Sequence, residues 1–107
     1  MHQISPRDLS EWLNDPSRLK PVLLDVREPW EFDVCHIRGA RPMPMRSVPA
    51  RYMELDKDAE TVVICHHGMR SAQIANFLMS NGFSKITNLS GGVAAWASQV
   101  DPSMPTY

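Results

Sequence analysis

Most of the chemistry that can be argued for this chain starts at Cys65. It ends the most strand-like run in the sequence, Thr61-Val62-Val63-Ile64-Cys65, which is β-branched, apolar and brief. Four residues, His66, His67, Gly68 and Met69, separate it from Arg70, and a helical stretch follows from about Ser71 to Ser80. A strand end, a turn at Gly68 and a helix start can bring backbone N–H groups around one sulfur. The helix start carries about half a positive charge. Arg70 adds a full charge, and His66 and His67 add more when protonated. Each favours thiolate over thiol, and the thiolate is the nucleophile. The competing reading is a small buried hydrophobe at a strand end, a common fate of a free cysteine. The turn, the cations and the helix start taken together favour the nucleophile.

The flanking pattern must position that loop. Ser5-Pro6-Arg7-Asp8 reads as a helix start, with Ser5 as cap, and Leu9, Trp12 and Leu13 make one apolar face. Asn14-Asp15-Pro16 ends it. Val22-Leu23-Leu24-Asp25-Val26 suits a strand covered on both faces. Residues 28–37 read as loop with one helical turn. Ala40 to Met45 can hold a short strand, limited by Pro42 and Pro44. A short helix starts at Ser47-Val48-Pro49 and runs to about Leu55. In the helix after Cys65, Gln73, Asn76 and Ser80 face water and Ile74, Ala75 and Leu78 face the core. Asn81-Gly82 closes it. Lys85 to Leu89 is a further strand, and Gly91-Gly92 opens a last helix. Residues 101–107 form an irregular tail without a role. Strands alternating with helices predict an α/β domain with a parallel sheet and helices on both faces.

Composition narrows the classes without naming a function. The chain has 107 residues, 43% of them hydrophobic and 21% charged, and a formal net charge of −1. That size suits one domain, 1–107, with one core. The charge balance lacks the basic excess of a nucleic-acid binder. No run approaches the roughly 18 apolar residues of a membrane span. The first residues carry no charged-then-apolar export pattern, so a cytoplasmic location is expected. Two cysteines are no disulfide framework. Cys35-His36 and Cys65-His66-His67 match no common metal spacing, so no metal is expected.

Several motifs resemble the rhodanese family in its single-domain form, over nearly the whole chain. They are Leu24-Asp25-Val26-Arg27-Glu28 with Glu31-Phe32, His36-Ile37-Arg38-Gly39-Ala40, Cys65-His66-His67-Gly68-Met69-Arg70-Ser71, and Leu89-Ser90-Gly91-Gly92 with Trp96. Cys35 and Arg38 depart from the family's usual Gly and Pro. The resemblance implies a rhodanese-like sheet of about five strands. It also implies a ping-pong sulfurtransferase without cofactor. Cys65 would take sulfane sulfur from a thiosulfate-like donor as a persulfide and pass it to a thiol or cyanide. Residues 66–71 would form the binding loop. A module carrying the persulfide to a protein partner, a domain without turnover, and a phosphatase or arsenate reductase are the competing readings.

Asp25, Arg27 and His36 read as structural support, with Asp25 holding a neighbouring loop. Cys35 reads as a buried thiol, with a resolving role as the alternative. Trp30, Phe32, Met43, Met45 and Met69 are candidates for an apolar rim beside the loop, with core filling the favoured reading for most of the methionines. Imidazole titrates near neutrality, so thiosulfate affinity is expected to weaken as pH rises from about 6 to 8. The four-residue spacer is one residue shorter than that of thiolate phosphatases, a bowl narrowed to one extra sulfur. Lengthening it by one residue is expected to confer hydrolysis of a chromogenic phosphate ester. Equal binding of sulfur donors and phosphate by the unaltered loop would sink the size argument.

Overall fold

A computed structural model describes residues 1–107. Its sheet has five parallel strands: β1 (His2–Ile4), β2 (Val22–Asp25), β3 (Arg41–Pro42), β4 (Thr61–Ile64) and β5 (Ile86–Leu89). Their order across the sheet is β1-β5-β4-β2-β3. The helices are α1 (Pro6–Asn14), α2 (Pro29–Val34), α3 (Val48–Arg51), α4 (Met69–Ser80) and α5 (Gly92–Gln99). Turns of 3-10 helix at Met45–Ser47 and Tyr52–Glu54 flank α3.

Alternation along the central strand divides the core. Val62 and Ile64 face one layer, built with Leu9 and Trp12 of α1 and Val93, Trp96 and Ala97 of α5. Val63 and the following Cys65 face the other, with Ile74, Ala75 and Leu78 of α4. Every residue of β4 is buried, as expected for a strand covered on both faces. The expected outward face of α4, Gln73, Asn76 and Ser80, is exposed. No helix is long and apolar enough to cross a membrane.

Four elements differ from the sequence expectation. Strand β1 was missed, because three residues carry no periodicity and it pairs only with β5. Residues 29–34 form a helix longer than the single turn expected there, started by a reciprocal capping box between Glu28 and Glu31. The 47–55 helix is broken into α3 and 3-10 turns. Helix α4 begins at Met69, two residues earlier than expected, so Met69 and Arg70 belong to its first turn.

In the parallel register Asp25 lies level with Ile64, so β2 and β4 end together. There Asp25 and Arg27 form a buried bidentate pair, Nε to Oδ1 at 2.9 Å and Nη2 to Oδ2 at 2.7 Å. The Arg27 backbone N–H donates to Asp25 Oδ1 at 3.1 Å, the loop-holding bond expected of Asp25. Arg27 is 1% exposed. Replacing it with Met leaves a buried carboxylate alone. Urea unfolding of Arg27→Met is expected to show a loss of about 3–5 kcal/mol, partly regained by adding Asp25→Asn.

Candidate active site

Cys65 follows the end of β4 and is 1% exposed. Two donors reach its sulfur. The Gly68 backbone N–H lies 3.0 Å from Sγ and the Ser71 hydroxyl 3.2 Å from it. Gly68 turns the chain with a φ of 101° and caps α4, whose positive end faces the same loop. The opposite side of the loop is held by α5. The N–H groups of Val93 and Ala94 donate to the carbonyls of Cys65 and His66, at 2.9 and 3.0 Å. This close approach requires Gly92, because a Cβ there would strike those same two carbonyls. Carbonyls drawn toward α5 leave the loop's dipoles turned with their N–H ends the other way.

The expected loop residues separate into different roles. Gly68 and Ser71 touch the sulfur, and His67 and Met69 are exposed at the rim. Arg70 reaches across to Glu31, with Nη1 to Oε1 at 2.7 Å and Nη2 to Oε2 at 2.9 Å. Its charge is thus partnered at the edge of the loop. Arg70 holds the Glu31 carboxyl down to about 2 against the cost of burial, helped by the Glu28 N–H and the Tyr107 hydroxyl. His66 is held away from its cationic form. Burial, then the neighbouring His67, pushes its imidazole below the ordinary value, and its buried Nδ1 has no hydrogen-bond partner.

The structure also places the remaining candidates. His36 sits outside the loop, exposed, with Nδ1 2.8 Å from the Phe32 carbonyl and its ring stacked on Phe32. Cys35 and Cys65 belong to opposite core layers. Met43 is core, fully buried, and Met45 is half-buried against it. Trp30 and Met69 are exposed, and Trp30 packs edge-on against Tyr107 at 5.2 Å.

The tail is not idle. Met104 enters the core, and Tyr107 Oη accepts from Arg27 Nη1 at 2.9 Å and donates to Glu31 Oε2 at 2.8 Å. Burial pushes the Tyr107 hydroxyl up to about 12. Nothing in its sequence context pointed to this. Asn88 was missed too: its amide bonds Ser71, the Gly68 carbonyl and Gln3. Its signal was a polar residue inside the apolar run Ile86-Thr87-Asn88-Leu89, just before the paired glycines.

A family model described as Rhodanese-like domain matches residues 5–99. The chain belongs to this family. The rhodanese-like domain is 36% identical over 97 residues to a sulfurtransferase of Allochromatium vinosum, covering 91% of this chain and 89% of that one. It is 40% identical over 75 residues to thiosulfate sulfurtransferase GlpE of Pseudomonas fluorescens, covering 70% and 69%. A crystal structure of a rhodanese-related protein from Thermoplasma volcanium superposes with a TM-score of 0.83 at 30% identity, covering 94% of each chain. The fold of this rhodanese-like domain is thus the family's own. The chain spans 36% and 26% of the lengths of the first curated relatives it matches.

Glu31 yields a pH prediction. Its carboxyl is lowered on folding, so the stability it contributes is complete above about pH 4.5 and drains as pH falls toward 2. Thermal melting across that interval is expected to fall more steeply for the wild-type domain than for Glu31→Gln. At neutral pH the variant is expected to be about 1–3 kcal/mol less stable.

Proposed function

We propose that this domain is a sulfurtransferase in which Cys65 carries sulfane sulfur as a persulfide. The observation that carries this reading is the pair of donors on Sγ, Gly68 N–H and Ser71 O–H, at the start of α4. They stabilise negative charge on the sulfur without a metal or a base. The thiolate attacks the outer sulfur of thiosulfate or of a persulfide donor. The new bond joins Sγ to that sulfur, and the old sulfur–sulfur bond breaks. With thiosulfate, sulfite leaves with the electron pair and the charge passes to the outer sulfur of Cys65. A thiolate or cyanide then attacks that outer sulfur, takes it as a new persulfide or as thiocyanate, and restores the Cys65 thiolate. The names borne by the Allochromatium and Pseudomonas relatives support the same chemistry.

The loop surrounds a small group. Four residues between Cys65 and Arg70 leave room for one added sulfur, with Arg70 tied to Glu31 at the edge. Asp25 and Arg27 support this edge through Tyr107 and Glu31 without touching the sulfur. Because Arg70 and Arg27 are paired and burial pushes His66 toward its neutral form, a donor anion is held chiefly by N–H dipoles.

Incubation with thiosulfate followed by intact-mass measurement is expected to show one sulfur atom added, located on the Cys65 peptide. Cys65→Ser is expected to show none and to lose thiocyanate formation entirely. Addition without steady turnover on cyanide or small thiols would identify a carrier serving a protein partner. No addition from thiosulfate or from a persulfide donor would overturn the reading.

A further inference from the structure

Ser71 is fully buried and has one hydroxyl proton to give. Two acceptors compete for it. Cys65 Sγ lies 3.2 Å from its oxygen, and Asn88 Oδ1 lies nearer on the other side. The Asn88 amide is not free to turn. Its Nδ2 donates to the Gly68 carbonyl at 3.1 Å and to Gln3 Oε1 at 3.0 Å. A carbonyl only accepts, so Oδ1 must be the atom that faces Ser71. Gln3 Oε1 is itself fixed by the Ser90 hydroxyl at 3.0 Å. Asn88 is 3% exposed, so an acceptor that loses its donor there has no water to replace it.

Counting protons gives two arrangements. With a thiol, the S–H donates to Ser71 Oγ and the Ser71 proton goes to Asn88. With a thiolate, the Ser71 proton turns to the sulfur and Asn88 Oδ1 is left without a donor. We infer that Asn88 is a positioning residue that acts on Cys65 through the single proton of Ser71. It holds that proton when Sγ is uncharged and yields it when Sγ is anionic. This rests on Cys65 being the reacting sulfur. In the persulfide the charge lies on the outer sulfur and Sγ is a neutral bridging atom, so the proton returns to Asn88. Asn88 thus favours the loaded cysteine over the bare thiolate.

The charged and titratable groups around the loop are Arg70 and Glu31, Arg27 and Asp25, Tyr107, and the two histidines. None is hydrogen-bonded to Ser71 or Asn88. Substitutions at 71 and 88 therefore leave those groups in place.

The test is the pH dependence of Cys65 alkylation by iodoacetamide, read on the Cys65 peptide, in the wild type, Ser71→Ala, Asn88→Ala and the double variant. Ser71→Ala is expected to raise the midpoint. Asn88→Ala is expected to lower it by about half to one pH unit, the size of one hydrogen bond. In the Ser71→Ala background the same change is expected to bring no lowering. Asn88→Leu, similar in volume, takes its place should Asn88→Ala melt early. An unchanged or raised midpoint in the Asn88 variant would make Asn88 only a prop for Gly68 and overturn the inference. A lowering that persists without Ser71 would overturn it too. Alkylation needs no sulfur donor, so this outcome and the thiosulfate experiment fail independently.

Discussion

A guanidinium in the interior organises the end of the sheet where Cys65 sits. All five N–H groups of Arg27 are used. They reach Asp25, the carbonyls of Glu31 and Cys35, and the Tyr107 hydroxyl. Burying a charge so completely is tolerable only because each donor is met. The same contacts tie β2 to both the start and the end of α2. Glu31 is thereby presented to Arg70, and Arg70 to the rim of the loop. The rim of the site is thus inherited, one hydrogen bond at a time, from a pair of residues at the end of a neighbouring strand.

This arrangement also sets the charge balance around the loop. A sum of side-chain charges suggests an electropositive bowl, yet Arg27 answers Asp25, Arg70 answers Glu31, and burial pushes His66 toward its neutral form. What remains is oriented N–H dipoles at short range. Such a site discriminates by geometry more than by charge, and salt screens it little.

The sequence revealed what is carried by local pattern. The buried strands at Val22–Asp25 and Thr61–Ile64 and the outward face of α4 declare themselves by periodicity and β-branching. Cys65 declares itself by standing between a strand and a helix with a glycine turn. Residues whose role comes from distant partners did not. Tyr107 meets Glu31 across 76 positions and Gln3 meets Asn88 across 85. No window of sequence contains both members of either pair. The setting of His66 is hidden for a related reason. Adjacency to cations is visible in a sequence, whereas the burial that sets its imidazole is not.

The junction of the loop with α5 has a consequence for biogenesis. Synthesis runs from the N-terminus, so Cys65 is made well before Gly92, Val93 and Ala94. Until those residues arrive, nothing turns the Cys65 and His66 carbonyls away. β5 must also insert between β4 and β1 before α5 can dock. The backbone arrangement around Cys65 is therefore completed only when the last helix closes over the sheet, and the loop is among the last parts of the domain to be set.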